Sequence, residues 1–362
     1  MNITLVISSL GIGGAERALA GLANWWCQKH NITIITYLDT PDFYPLDSKI
    51  FRIKLKSEKG SIKAINFIKR CNNLRQEIYR SNPDVVLSFV DRCNVLTLIS
   101  TFGLGIKIIV AERTNPQFYN IGKVWSILRN FTYPRAHKII IQTESIKKWA
   151  LKYKKENEIY IIPNAIDKYR LSLIKSETEA EGEVLKWKNS ILAMGRLSFE
   201  KGHDQLLRSF SIISENYPDW GIEIIGDGIL KDSLINLAKE LGIENKLYFH
   251  GNRQNPFPIM KQAEIFVLPS RIEGFPNVLL EALCTGMACI SFNCPSGPSD
   301  LIKNDENGLL VEAENLNALA SAIEYLILNP DLRKKFSSEA IKTIDYFNET
   351  EIMKLWDEAL CI

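Results

Sequence analysis

The sequence is poor in the residues that staple or metallate small folds. Among 362 residues there are seven cysteines (Cys27, Cys71, Cys93, Cys284, Cys289, Cys294 and Cys361), an odd number with no Cys-x-x-Cys pair, and four scattered histidines (His30, His137, His203 and His250). This argues against a disulfide framework and a structural zinc site, and points to the reducing cytoplasm. Long apolar runs are also missing. The longest, 95–106, carries two Thr, a Ser and two Gly, well short of the ~18 residues a spanning helix needs. The first eight residues have no basic region, and Gly11 interrupts their short apolar stretch, so no secretory signal is expected. What is present is an ordinary globular mixture, 46% hydrophobic and 24% charged, in a length that suggests two domains at about 150 residues each. The formal net charge of +2 hides an asymmetry. Residues 1–165 hold 24 Lys and Arg against 12 Asp and Glu, while the remainder holds 20 against 30, so the halves are electrostatically different objects.

Short β-branched runs alternate with helical ones. Strands are expected at 3–7, 32–37, 84–89, 106–110, 138–141 and 159–162, with helices at 14–29, 61–80, 94–101, 124–132 and 144–153. A polar stretch over 168–188 reads as linker and surface. The pattern then restarts, with strands at 191–194, 222–225, 246–250, 265–268 and 288–292 and helices at 202–215, 229–241, 277–284 and 316–328. Two final helices, 331–346 and 350–360, have no strand after them. Strand-helix-strand repetition implies parallel sheets with right-handed crossovers. The expected architecture is α/β, with Rossmann-like domains at 1–165 and 166–345 facing across a cleft and a C-terminal helix in 346–362 returning toward the first. Ligands belong at the carboxyl ends of such strands.

The segment richest in chemistry runs from Pro269 to Leu283. Pro276 suits a first helical turn. The N–H groups of Phe275, Asn277 and Val278 would then face outward at the positive end of a helix dipole, as a phosphate or diphosphate needs, with Gly274 allowing close approach. Glu273 stands on the loop, and Glu281 shares a helix face with Asn277. Near the start, Gly11 and Gly13 with Asp39 partly mimic a dinucleotide fingerprint, but Glu16 occupies the third glycine position. Gly13 and Gly14 fit better as a loop admitting a ligand's phosphates or sugar.

Glu273-Gly274-Phe275-Pro276-Asn277 through Glu281-Ala282-Leu283 resembles the signature of the family 4 retaining glycosyltransferases of the GT-B fold. Gly13-Gly14-Ala15-Glu16-Arg17, Pro163-Asn164-Ala165-Ile166-Asp167, Gly195-Arg196 through Lys201-Gly202, and Gly226-Asp227-Gly228 match in order along the whole chain. The first of these loops, with Ala111-Glu112-Arg113-Thr114-Asn115-Pro116, is similar to the bacterial subset that extends polyprenyl-diphosphate-linked glycans and surface polysaccharides. The resemblance implies a UDP-sugar donor, a hexose or N-acetylhexosamine transferred with retention, and a lipid-linked oligosaccharide acceptor. By it, Arg196 and Lys201 clamp the donor diphosphate, Glu281 binds the ribose, Glu273 contacts the sugar ring, and Arg253 lies beside the nucleobase. Arg113 stands where many members carry His. It joins Glu112 and Glu273 as a catalytic candidate, although an arginine cannot act as a base at neutral pH. No Asp-x-Asp pair occurs, so no metal or other cofactor is expected. A UDP-sugar 2-epimerase on the same architecture and an NAD-dependent dehydrogenase remain open.

Ten Lys and Arg against two acids lie between Lys49 and Arg80, and nine against one between Lys123 and Lys155, with Trp125, Phe131, Tyr133, Trp149 and Tyr153 interleaved. No nucleic-acid motif accompanies them, so no nucleic-acid partner is expected. Lys63, Lys69, Arg70 and Arg129 are read as contacts to an anionic membrane surface or acceptor. This places the protein peripherally on the cytoplasmic face of the membrane.

Overall fold

The computed structural model describes residues 1–38, 40–55, 63–176 and 185–362, with side chains from 66 onward in the third segment. Asp39, the first two residues of the helix expected over 61–80, and residues 177–184 of the polar stretch over 168–188 lie outside the described residues. Residues 1–165 with 350–362 form one compact unit and 166–349 form the other.

In the first unit the strands are β1 (Asn2–Ile7), β2 (Asn31–Thr36), β3 (Phe51–Lys54), β4 (Val85–Phe89), β5 (Lys107–Ala111), β6 (Lys138–Ile141) and β7 (Ile159–Ile161). They form a sheet in the order β3-β2-β1-β4-β5-β6-β7, with every pairing parallel. Leu5 of β1 sits between Ile34 and Leu87 of its neighbours. Its period-2 neighbours split between two cores. Ile3, Leu5 and Ile7 pack with Trp26 on one face, and Val6 packs with Val86 and Val110 on the other. Burial on both faces is why these strands read as continuous apolar runs. The first core also takes Ile352, Met353, Trp356 and Leu360 from the C-terminal helix Glu349–Leu360. Trp356 stacks on Phe89 with ring centroids 5.7 Å apart, and Trp26 donates its indole N–H to Asp357 Oδ1 at 2.8 Å.

The second unit repeats the scheme with β8 (Asn189–Met194), β9 (Trp220–Ile225), β10 (Leu247–Gly251), β11 (Ile265–Leu268), β12 (Ala288–Phe292) and β13 (Gly308–Val311), ordered β10-β9-β8-β11-β12-β13. The order reverses between β1 and β4 in one sheet and between β8 and β11 in the other, and each reversal opens a crevice at the strands' carboxyl ends.

The departures from the sequence reading have local causes. Strands β3 and β13 were not expected, and both are edges: β3 is exposed and half-cationic, and β13 is short. Residues 168–175, taken for linker, form the helix Lys168–Lys175, whose N-terminus is capped by Asp167 Oδ1 accepting from Arg170 N at 2.7 Å. The helix expected over 331–346 is two, Pro330–Ile341 and Thr343–Phe347. Residues 346–349 belong to the second unit, where Ile166 N donates to Phe347 O at 2.8 Å. No helix among the described residues is long and apolar enough to cross a membrane.

Candidate active site

In the second unit β8 ends at Met194. The chain passes Gly195 and Arg196, turns through the short 3-10 helix Phe199–Lys201 and enters the helix His203–Ile213. The adjacent β11 ends at Leu268, and its loop leads into the helix Asn277–Thr285. Both loops open at the strand-order reversal, so residues 72 positions apart meet: Lys201 Nζ donates to Glu273 Oε1 at 2.7 Å and to Oε2 at 2.9 Å. Glu273 is buried, and its Oε1 also accepts from the Ser270 hydroxyl at 2.7 Å. The Ser296 hydroxyl donates to the Glu273 carbonyl. A carboxylate this buried is costly without such a set of partners.

Arg271 fixes the other side of the pair. Its guanidinium forks onto Asp204, Nη1 to Oδ1 at 2.8 Å and Nη2 to Oδ2 at 2.7 Å, and Nη1 also donates to the Phe199 carbonyl at 2.8 Å. A bidentate arginine is stiff, and here it pins the turn that carries Lys201. Burial first, and the charge of Lys201 second, lower His203 to about 4, so its imidazole is neutral at physiological pH. Burial, with Glu273 as the second cause, pushes the Cys294 thiol up to about 12, which rules it out as a nucleophile at neutral pH.

Glu281 is buried too, and Arg170 Nη1 lies 3.0 Å from its Oε1. Arg170 also sits 5.8 Å over the Phe257 ring. One expected donor is corrected. The Asn277 N–H turns back to the Phe275 carbonyl at 3.0 Å, because Pro276 with ψ +80 makes a tight turn ahead of the helix. Arg196 and Arg253 are exposed, and Gly274 and Val278 are half-buried.

In the first unit Arg113 follows β5. It is buried, stands 5.2 Å over the Phe89 ring and donates through Nη2 to Asn164 Oδ1. Gln142, just after β6, completes the holder: with its amide assigned the orientation that satisfies both ends, it donates to the Arg113 carbonyl at 2.9 Å and accepts from Arg113 Nη2 at 3.2 Å and Asn164 Nδ2 at 3.1 Å. Nε and Nη1 of Arg113 have no hydrogen-bond partner among the described residues. Burial lowers its pKa to about 9, which leaves it charged at neutral pH with two donor nitrogens unspent.

Glu112 is a correction. It is fully buried, its Oε1 accepts from the Tyr133 hydroxyl, and it does not reach the surface where a substrate would lie. Burial pushes its carboxyl from 4.5 up to about 7. An unfolded carboxyl ionises near 4.5, so between there and about 7 the folded protein holds a proton the unfolded chain has lost, and stability falls as pH rises. Glu112→Gln removes this component. Urea unfolding midpoints of wild type should therefore fall relative to the variant from pH 4.5 to 7 and run parallel above; parallel curves throughout would refute the assignment.

The glycine loop is also fuller than expected. Glu16 folds back so that a Cβ on Gly13 would lie 2.1 Å from its Oε2, and the Tyr44 hydroxyl donates to the Gly13 carbonyl at 3.0 Å. Gly13 thus makes room for this chain's own carboxylate at the start of the helix Gly14–Trp26. Arg129 is corrected as well: only 6% exposed, it stacks 5.1 Å from the Trp149 ring, inside the unit. Lys69 and Arg70 are exposed, and the side chain of Lys63 lies outside the described residues. Among the described residues no group of three His, Cys, Asp or Glu could hold a metal ion.

Sequence reasoning did not single out Ser270, Ser296, Arg170, Arg271, Gln142 or Tyr44. Ser270 could have been found, since it lies three residues before Glu273 in the segment from Pro269 to Leu283. The pairing of Gln142 with Arg113 depends on β5 lying beside β6, which local pattern does not report.

Comparison with known proteins places both units. Residues 12–170 match the model of "Glycosyltransferase Family 4" and residues 174–343 that of "Glycosyl transferases group 1". The chain is 29% identical over 360 residues to GalNAc-alpha-(1->4)-GalNAc-alpha-(1->3)-diNAcBac-PP-undecaprenol alpha-1,4-N-acetyl-D-galactosaminyltransferase of Campylobacter jejuni, covering 98% of this chain and 97% of that one. Among solved structures it resembles the lipopolysaccharide outer core galactosyltransferase WaaB in its apo form, with a TM-score of 0.80, 21% identity and coverage of 100% and 99%. It also resembles Anabaena HepE in complex with UDP and glucose, with a TM-score of 0.81, 19% identity and coverage of 100% and 99%.

Proposed function

The chain belongs to the family 4 glycosyltransferases of the GT-B fold, and on that premise we propose that it moves a hexose or N-acetylhexosamine from a UDP-sugar to a polyprenyl-diphosphate-linked glycan, with retention. The Campylobacter relative's undecaprenol-diphosphate glycan supports the acceptor class, and the UDP bound to the Anabaena protein supports the donor. The observation that carries the reading is the Lys201–Glu273–Ser270 cluster at the β8/β11 reversal, beside the start of the helix Asn277–Thr285.

The second unit takes the donor. Lys201 and Arg196 face the diphosphate, Glu273 the sugar ring, Glu281 with Arg170 behind it the ribose, and Arg253 the base. Gly274, Phe275, Pro276, Asn277 and Val278 approach the phosphates. The acceptor oxygen attacks C1 on the face that the phosphate leaves, the C1–O bond to phosphate breaks, and the acceptor's proton passes to the departing phosphate oxygen, giving UDP. Negative charge grows on that phosphate, so fixed cations lower the barrier. They do this without a metal. Arg113 cannot take the proton; it contributes positive charge to the first unit, where it would favour a nearby phosphate. The protein works at the cytoplasmic face of a membrane, where Lys69 and Arg70 meet anionic headgroups.

A thermal-shift comparison of UDP, GDP and NADH in the presence of a chelator tests the assignment. UDP at a hundred times its Kd should stabilise the protein by about 2.7 kcal/mol, and the shift should vanish in Lys201→Ala. Stabilisation by NADH without UDP would overturn it.

A further inference from the structure

The helix Lys123–Thr132 turns an unusual face outward. Arg129 and Thr132 are buried and Leu128 is half-buried, while Val124, Ile127 and Phe131 are 68%, 55% and 76% exposed. Spaced three and four apart, they form one apolar stripe. A face turned to water normally carries charge, and two large aliphatics and a phenyl in line need another explanation.

The surroundings supply it. Trp125 meets Phe67 of the helix Lys63–Arg80 with ring centroids 6.0 Å apart. Next to Phe67, Ile68 is 59% exposed, and the exposed Lys69 and Arg70 follow. Just past the other end of the stripe, Arg135 lies 4.2 Å over the ring of the exposed Phe102. The sequence has no Asp or Glu from Arg113 to Thr143, and in that stretch Lys123 and Arg135 are exposed. An apolar ridge rimmed by cations and free of acids matches a bilayer surface of anionic lipid, with acyl chains beneath and phosphates at the rim. A second copy of the chain fits it poorly, since a two-fold contact would set these cations against one another.

We propose that Val124, Ile127 and Phe131 insert as a wedge into the acyl boundary of a membrane, with Lys123, Arg135, Lys69 and Arg70 at the level of the lipid phosphates. Attachment by charge alone is a weaker statement: it is lost when salt screens it, whereas burial of apolar side chains persists. The proposal rests on the lipid-linked acceptor reading only for its effect on turnover, because vesicle binding is measured without substrate.

The experiment is flotation of the full chain with vesicles of phosphatidylcholine and phosphatidylglycerol, at low salt and at about 0.5 M salt, for wild type and the Val124→Ser/Ile127→Ser/Phe131→Ser variant. All three positions are exposed, and an unchanged melting temperature and UDP shift verify that the variant is folded. Wild type should float and remain largely bound at high salt, and the variant should partition at least roughly tenfold less. Transfer to a water-soluble short-chain acceptor should be unaffected, while transfer to a polyprenyl acceptor in vesicles falls. Equal flotation of variant and wild type, loss of wild-type binding at high salt, or a wild-type dimer in sedimentation that the variant dissolves would each overturn the wedge. An intact UDP shift beside any of these would leave the glycosyltransferase reading standing, and a missing UDP shift beside salt-resistant flotation would do the reverse.

Discussion

Lys201→Ala should lose sugar transfer and thermal stability together, whereas Glu273→Gln should lose transfer and keep its fold. The asymmetry follows from burial. Glu273 is 6% exposed and Lys201 27% by side chain, so removing the lysine strands a carboxylate whose remaining side-chain partner is Ser270. An unsatisfied buried charge of this kind costs about 1–3 kcal/mol. Removing the acid's charge leaves an ammonium that water can reach, at little cost. On the proposed reading both changes delete a group that faces developing charge or the reacting sugar, and loss of one such electrostatic contact lowers turnover about 10²–10³-fold. The double variant separates the effects: Lys201→Ala/Glu273→Gln should regain most of the lost melting temperature and none of the activity. Near-normal turnover in either single variant sinks the roles assigned here, and a double variant as unstable as Lys201→Ala sinks the account of the pair.

How far the sequence reached is best seen at that same site. Glu273, Glu281 and Lys201 were legible because the motif carries them on a loop, a helix and a turn whose periods are local. The meeting of Lys201 with Glu273 required a further step, that β8 and β11 are neighbours across a reversal in strand order. Nine of the eleven expected strands are mostly buried, and their apolar runs announce them; β7 and β10 are less buried edges. The edge strand Phe51–Lys54 is exposed at both ends and interleaves Arg52 and Lys54, and so carries no such signal. Charge was less readable than shape. Arg129 looked like a surface cation because its neighbours are basic, but the helix rotates it onto Trp149 and sends Phe131 outward instead. Glu112 looked available beside Arg113, yet successive residues after a strand point to opposite sides, and Glu112 turns inward to Tyr133. Arg170 lay in a stretch dismissed as polar linker, and its role appears only once Glu281 is seen to need a cation.

Gly202→Ala should cost activity without removing any functional group. Gly202 has φ +64, and a Cβ there would lie 2.0 Å from the Pro269 carbonyl oxygen and 3.0 Å from its carbon. Both are backbone atoms at the end of β11 and cannot swing aside. The glycine therefore lets the turn Phe199–Lys201 lie against the loop that carries Glu273. An alanine pays about 1–2 kcal/mol for the left-handed backbone and about 1–3 kcal/mol more for overpacking, and the turn relieves the clash by moving Lys201 away. A shift of about 1 Å in a positioning contact can lower turnover roughly 10²-fold, so a fall of that order is expected, with a melting temperature lower by about 2–4 °C for each kcal/mol. Gly242→Ala isolates the contact. Gly242 has nearly the same φ, +69, but nothing lies within 4 Å of its would-be Cβ, so it carries the backbone strain alone and should lose a little stability and no turnover. If the two variants behave alike, strain rather than the Pro269 contact decides, and the close approach of the two loops is not what sets Lys201 against Glu273.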